Sequence, residues 1–227
     1  MKLTSLNLNG HNHWAKREPG ILEYLKSEDP DIIFFQEVVY LPEVSPYTQT
    51  TLLNKHLKYP FEQSVISRLQ VGIHHPVYRE GLSVLSKFPI TKSETLVLKQ
   101  DPNDHLQRIV QLFDIVQHGY TVKFANIHFA QNPEHAYDNL AELLEILKSR
   151  KEKRIIVGDF NMPDLKHTPL WQHDYRASTS EYYISFPTNN DRIDFVLMPK
   201  SDTIVDVSLS PDGMSDHRAL TANIRIK

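Results

Sequence analysis

Seven side chains that can bind a cation or move a proton stand within or just after apolar runs of this sequence: Asn7, Glu37, His128, Asp159, Asn161, Asp194 and His217. Such groups rarely sit against a core unless they are paired, hydrogen-bonded or bound to an ion. One alone would be explained as a helix cap or an Asx turn. Seven at the ends of separate strands need another explanation, because the strand ends of one sheet converge in space. Asn, Asp and Glu oxygens are hard ligands that suit Mg²⁺, Mn²⁺ or Ca²⁺. The sequence has no cysteine, and histidine is the minority in this set, which argues against zinc. Mg²⁺ usually takes one or two carboxylates and keeps water for a substrate phosphate. Hydrolysis of a phosphate ester needs that arrangement: a polarised phosphoryl oxygen, a carboxylate that aligns water in line with the leaving group, and cationic groups that absorb developing charge.

The elements that must position these residues follow from hydrophobic periodicity. Leu3 to Leu8 alternates as a half-buried strand, and Arg17 to Ser27 carries Ile21, Leu22 and Leu25 at helical spacing until Pro30. Asp31 to Glu37 reads as a buried strand that delivers Gln36 and Glu37 at its C-terminal tip. Residues 38–60 read as loop with a short helix, and β-like runs follow near 62–67, 71–75, 81–88 and 93–98. Gln107 to Val116 and Tyr120 to His128 form an antiparallel pair turning at His118-Gly119. Pro133 to Lys148 is a helix with Leu140, Leu143, Leu144 and Leu147 on one stripe and Asn132 as its cap. Arg154 to Val157, Arg192 to Met198, residues 203–209 and Leu220 to Ile226 complete the strands. Parallel-type and hairpin connections together imply an α/β (α+β) fold, a four-layer sandwich of two mixed sheets packed face to face with helices outside.

At 227 residues one large domain spanning 1–227 is expected, and 40% hydrophobic with 23% charged residues is ordinary for a globular protein. No apolar run is long enough to cross a bilayer, and the N-terminus alternates without an apolar signal core, so a cytoplasmic monomer is expected. A net charge of −3 provides no global basic field for long nucleic acid. The local cluster Lys148, Arg150, Lys151, Lys153 and Arg154 complements a helix C-terminus.

Seven segments occur in a fixed order: Ser5-Leu-Asn7-Leu-Asn9-Gly, Pro30-Asp-Ile-Ile-Phe-Phe-Gln36-Glu37, Gly81-Leu-Ser-Val-Leu-Ser-Lys-Phe-Pro89-Ile, Asn126-Ile-His128, Gly158-Asp159-Phe-Asn161, Arg192-Ile-Asp194-Phe-Val and Ser215-Asp216-His217. Each is short, but the ordered set, from residue 3 to residue 218, resembles the endonuclease/exonuclease/phosphatase superfamily, with its deoxyribonuclease-I-like fold. The resemblance implies that Glu37 is the main metal ligand with Asn7 beside it, and that Asp216 is a second ligand or stands just behind the first. Asp159 would align or deprotonate the attacking water, Asn161 would bind the phosphate and position that water, and His217, oriented by Asp194, would touch the scissile phosphate. A histidine beside a carboxylate is held in one tautomer and favoured as imidazolium, which fits that role. Tyr78-Arg79-Glu80-Gly81 resembles the branch containing pancreatic deoxyribonuclease and bacterial sphingomyelinases. It implies that Glu80 orients His128, the candidate acid for the leaving oxygen, with Arg108 as a further phosphate contact.

The implied activity is that of a Mg²⁺-dependent phosphodiesterase or nuclease. The alternatives are a phosphomonoesterase, a lipid head-group hydrolase acting on inositol phosphates or sphingomyelin, and a phosphate-binding module without turnover. Competing explanations exist for single residues. Asp194 could pair with Arg192, which shares its strand face; Glu80 and Arg108 could be solvated surface charges. The remaining histidines, including His74 and His75, read as surface or loop residues. Trp14 and Trp171 read as core or rim packing rather than as stacking platforms.

Overall fold

The structure, a computed structural model, describes residues 1–40, 47–70, 78–99, 107–163, 165, 168–179 and 182–227. The first sheet contains β1 (Lys2–Asn7), β2 (Ile32–Tyr40), β3 (Phe61–Gln70), β4 (Tyr78–Ser86), β11 (Thr203–Leu209) and β12 (Leu220–Arg225), in the order β11-β12-β1-β2-β4-β3. The second contains β5 (Ile90–Val97), β6 (Ile109–Gln117), β7 (Tyr120–His128), β8 (Ile155–Asp159), β9 (Tyr175–Ala177) and β10 (Asp194–Pro199), in the order β5-β6-β7-β8-β10-β9. Among the described residues there are three α-helices: α1 (Trp14–Glu28), α2 (Gln49–Leu57) and α3 (Pro133–Ser149). The expected run at 71–75 lies outside the described residues.

Each sheet has one parallel pair at its centre, β1 with β2 and β7 with β8, and antiparallel neighbours on either side. A parallel pair needs a crossover. α1 supplies it in the first sheet and α3 in the second. Within each parallel pair the two strand C-termini lie at the same end of the sheet.

Side-chain alternation sets the layers. Leu3, Ile32, Phe34, Val122, Phe124, Ile155, Val157, Val196 and Met198 face inward and form the core between the sheets. Phe34, Phe113 and Phe124 meet there with ring centroids 5.3 to 5.7 Å apart. The intervening residues face outward. Ile33 and Phe35 pack with Ile21, Leu25 and Leu53 under α1 and α2. Ala125, Ile127, Ile156 and Phe195 pack with Leu140, Leu143 and Leu147 under α3. Each fully buried Leu, Ile or Phe contributes about 1.5–3 kcal/mol by leaving water. Asn132 caps α3 as expected, its side chain accepting from Glu134 N. Trp14 and Trp171 are buried in the two outer clusters, as packing residues.

Candidate active site

Along the inner face the residue types change in a set order. β7 runs Val122, Phe124, Asn126, His128; β8 runs Ile155, Val157, Asp159; β1 runs Leu3, Ser5, Asn7; β2 runs Ile32, Phe34, Gln36. Apolar core gives way to buried amides and hydroxyls, and these to the ionisable groups at the rim. The amides form a network between the sheets. Gln36 Nε2 donates to Asn126 Oδ1 at 2.9 Å and to Ser5 Oγ at 3.2 Å, and Asn126 Nδ2 donates to Phe35 O, Ser83 O and Gln111 Oε1. Because they are buried and mutually satisfied, they fix the relation of the two sheets beneath the site.

Strict alternation would point Glu37 away from the rim. Instead β2 does not end there: it continues to Tyr40 through a bulge, where its register against β4 shifts between Phe35 and Val38. Glu37 takes a left-handed conformation, φ 51°, within that bulge. This corrects the expectation of a strand tip. A bulge re-aims one side chain at the price of one ladder pairing. Asn7 Nδ2 donates to Glu37 Oε1 at 3.2 Å and to Asp159 Oδ2 at 3.1 Å. The Asn7 amide is itself oriented by Asn9 N, which donates to its Oδ1 at 2.9 Å.

Gly158 brings Asp159 into place. Its φ is 141°, and a Cβ there would stand 2.1 Å from Ile127 O, so only glycine lets β8 close on β7. Asp159 then pairs in register with His128 on one side and Asp194 on the other. Asp159 Oδ1 accepts from Asn161 N at 2.9 Å, and Asn161 Nδ2 donates to Phe129 O at 3.0 Å. Asp159 Oδ2 stands 3.7 Å from His128 Nε2 and 3.7 Å from His217 Nε2. His217 Nδ1 is 2.8 Å from Asp194 Oδ2, and the Phe186 ring lies 4.8 Å from the His217 ring. Ser185 Oγ accepts from Ile193 N and Asp194 N, which fixes the start of β10. Ser215 Oγ lies 2.7 Å from Asn7 O and 3.0 Å from Asp216 Oδ1, so Asp216 is tied to the end of β1.

The two histidines are shifted in opposite directions. Burial disfavours the His217 imidazolium, but the Asp194 and Asp159 carboxylates and the Asp194 hydrogen bond outweigh it and push the pKa up to about 10. Burial holds His128 well below the usual imidazole range, and the charges of Arg108, Arg68 and His217 add to that effect. Burial and the Asp194 charge push Asp159 up to about 7, against the His217 charge and the donors Asn161 N and Asn7 Nδ2.

For a cation, two groups of ligands deserve comparison. Asp159, Asp194 and His217 present ligand atoms within 4.8 Å of one another. His217 as imidazolium, with Nδ1 already on Asp194, would repel a cation there. Glu37 is the better fit, because its side chain is 22% exposed and its donor atoms are hard oxygens; Asn7 beside it would join through Oδ1, since its Nδ2 is the atom now on Glu37 and Asp159.

The sequence profile of the Endonuclease/Exonuclease/phosphatase family matches residues 4–217. The chain belongs to this family. No curated protein matches the chain. Among solved structures, an endonuclease/exonuclease/phosphatase family protein from Leptotrichia buccalis is similar at 16% identity and TM-score 0.81, covering 100% of both chains. A humanized D. rerio TDP2 is similar at 16% identity and TM-score 0.73, covering 99% of this chain and 98% of its own. The Bacteroides thetaiotaomicron mannosyl-6-phosphatase Bt3783 is similar at 18% identity and TM-score 0.70, covering 99% of both. These likenesses show the shared fold. Members of the family hydrolyse phosphate esters and typically use divalent metals, and the family assignment supports a phosphoester hydrolase here.

Within this family member the structure brings Asn7, Glu37, His128, Asp159, Asn161, Asp194 and His217 to one rim, with Asp216 beside Asn7 through Ser215. Arg108 and Glu80 are buried rather than solvated, and line a small cavity with His128, Arg68 and Gln107. Glu80 on β4 forms an ion pair at 2.5 Å with Arg68 on β3, its cross-strand partner. His11, His13, His118 and His173 are exposed, while His74, His75, His105 and His167 lie outside the described residues. Sequence reasoning missed the roles of Ser5, Gln36, Asn126 and Ser215. An amide in the middle of an apolar run, as Asn126 is in β7, was the available signal.

Proposed function

We propose that this chain is a Mg²⁺-dependent phosphodiesterase, acting on nucleic acid as its substrate class, in which water attacks phosphorus in line with the leaving oxygen. The observation that supports it best is the convergence on Asp159 Oδ2 of Asn7 Nδ2, His128 Nε2 and His217 Nε2 from three separate parts of the chain. Glu37 and Asn7, with Asp216 beside them, would hold the Mg²⁺, which when bound polarises a phosphoryl oxygen and offsets negative charge.

The chain's own groups divide the remaining work. Asp159 Oδ2 accepts a proton from the attacking water, and a carboxylate raised to about 7 suits a base working near neutral pH. Asn161 has its Nδ2 held by Phe129 O, so its Oδ1 is turned to accept from that water. His217, cationic and braced by Asp194, donates from Nε2 to a phosphoryl oxygen. The 3.7 Å between His217 Nε2 and Asp159 Oδ2 is too long for a direct hydrogen bond and short enough for both to contact one substrate oxygen. His128 Nε2, 3.7 Å from Asp159 Oδ2, is the candidate donor of a proton to the leaving oxygen, and the lowering of its pKa by burial makes that proton easier to give up. Arg108 adds positive charge beside it.

A phosphomonoesterase is the second reading. Arg68 and Arg108 both act on His128 from one side, and two guanidinium groups suit the dianion of a monoester. The mannosyl-6-phosphatase named above shows that the fold is compatible with such a substrate. Hydrolysis of bis-(p-nitrophenyl) phosphate and of p-nitrophenyl phosphate, with Mg²⁺ or Mn²⁺ and with chelator, separates the two. Metal-dependent release from the diester, lost in Asp159→Asn and His217→Ala variants with native far-UV spectra, is the expected result. No metal-dependent release from either ester, or from DNA, RNA, inositol phosphates and sphingomyelin, would leave a phosphate-binding module as the reading.

A further inference from the structure

Arg17 of α1 lies outside every motif of the sequence, yet its guanidinium spans the two loops that deliver the site. Nη1 donates to Leu8 O at 2.7 Å and to Met214 O at 3.1 Å. Nη2 donates to Asn9 O at 3.4 Å and Gly10 O at 3.3 Å, and Nε donates to Asn12 O at 2.7 Å. The five N–H bonds of the planar fork thus meet five backbone carbonyls. Leu8 directly follows Asn7, and Met214 directly precedes Ser215-Asp216-His217. The same two segments are joined again where Ser215 Oγ meets Asn7 O at 2.7 Å.

The loop that Arg17 gathers has few hydrogen bonds of its own, Asn12 N to Asn9 O and Trp14 N to His11 O among them. Asn9, Gly10 and His13 all have positive φ, with values from 48° to 52°, so the chain between β1 and α1 is bent against its local preference. Gln49 Nε2 donates to Gly10 O from α2, and Arg17 braces Leu8 O, Asn9 O, Gly10 O and Asn12 O from α1. The Arg17 charge also faces the site: Asp216 and Glu37 are the carboxylates that stabilise it against the cost of its burial.

We propose that Arg17 is a positioning residue for the cation site, holding the Asn7 loop and the Asp216-His217 loop in one register before a cation arrives. The proposal rests on Glu37, Asn7 and Asp216 being the cation-binding set. It predicts that geometry, and not charge alone, is what Arg17 supplies. A lysine has one compact ammonium and cannot reach both Leu8 O and Met214 O together with the rest of the loop.

The test is Mn²⁺ binding to the metal-free protein, followed by electron paramagnetic resonance, together with kcat and KM for bis-(p-nitrophenyl) phosphate. Outer-layer supports of metal ligands change affinity by about 10- to 100-fold when removed. Arg17→Lys is therefore expected to weaken Mn²⁺ binding at least about tenfold and to lower kcat, with KM little changed. In Arg17→Ala, added guanidinium ion is expected to restore Mn²⁺ affinity and kcat together. Wild-type affinity and kcat in Arg17→Lys would overturn the proposal. So would an Arg17→Ala protein whose melting temperature recovers with guanidinium while its Mn²⁺ affinity does not, since that marks a role in folding alone. A wild-type protein that binds no Mn²⁺, and is indistinguishable from Glu37→Gln, would overturn the reading of the site and this proposal with it.

Discussion

Asp159 and Asp194 are direct register partners on the antiparallel strands β8 and β10, and one imidazole, that of His217, lies against both carboxylates. Like charges opposite each other destabilise a sheet. Here the pair is tolerated because His217 is held as a cation between them. The arrangement couples the charge of the His217 imidazole to that of the Asp159 carboxylate.

Asp194→Asn should break that coupling. The amide can still meet His217 Nδ1, but it no longer favours the imidazolium or one tautomer. Because Asp194 is the largest of the groups that raise the His217 pKa, the value should fall, as read by NMR titration of the ring. kcat should drop roughly 10²- to 10⁴-fold, as when a carboxylate that orients a catalytic histidine becomes an amide. Wild-type kcat with an unchanged ring titration would show that Asp194 is only a core acid.

The pH dependence of stability has a defined sign. His217 is raised to about 10, so its contribution is complete below the ordinary imidazole value and is lost as pH rises through about 10. Asp159 is raised to about 7, so its contribution is complete below the ordinary carboxylate value and is lost as pH rises through about 7. Both groups hold protons more tightly in the folded state, so the two effects add, whereas His128, lowered by burial, contributes with the opposite sign until pH passes the ordinary imidazole value. In chelator, the melting temperature should therefore decline from about pH 7 to about pH 10, where His128 no longer titrates in either state, and His217→Gln should flatten that decline. A melting temperature that climbs over this range would contradict the charge assignment.

Much of this was written in the sequence, for physical reasons that differ by residue. Strand and helix positions followed from apolar periodicity: the β6–β7 hairpin turns at His118-Gly119, and the α3 stripe faces the second sheet. The site residues were visible because polar groups at the ends of apolar runs are costly unless used. What was hidden depends on register between distant segments. Nothing local tells that Arg68 will stand opposite Glu80, or that Glu37 will sit in a bulge. Arg17 was hidden for a further reason: its partners are backbone carbonyls, which every sequence supplies.

The amide network under the rim should behave as a structural joint. Gln36→Met conserves size and removes the donor to Asn126 Oδ1. An acceptor left buried without a donor costs about 1–3 kcal/mol. Denaturant titration should show a loss of that order, and kcat should fall as well, because Gln36 precedes Glu37 and Asn126 lies two residues before His128. A loss of stability with kcat intact would confine the network to folding.

Gly158→Ala should be more damaging than its size suggests. The added Cβ would meet Ile127 O at 2.1 Å, and φ 141° is strained for any side chain. The β7–β8 pairing must open, which should cost about 2–4 kcal/mol. Denaturant midpoints measure it. Because opening moves Asp159 away from His128, kcat should fall further than the folded fraction does.

Removal of the cation supplies the last prediction. Glu37 is partly exposed and shares the Asn7 amide with buried Asp159, so in the absence of a cation two carboxylates face each other across one amide. A divalent ion relieves that repulsion, and Glu37→Gln relieves it in another way. The variant should therefore melt no lower than the wild-type protein in chelator, while the Mg²⁺ concentration for half-maximal activity rises about 10- to 100-fold. The two readouts move in opposite directions only if Glu37 serves the cation. An unchanged Mg²⁺ requirement, or full activity in chelator, would remove Glu37 from that role and leave Asp159 and His217 to act without it.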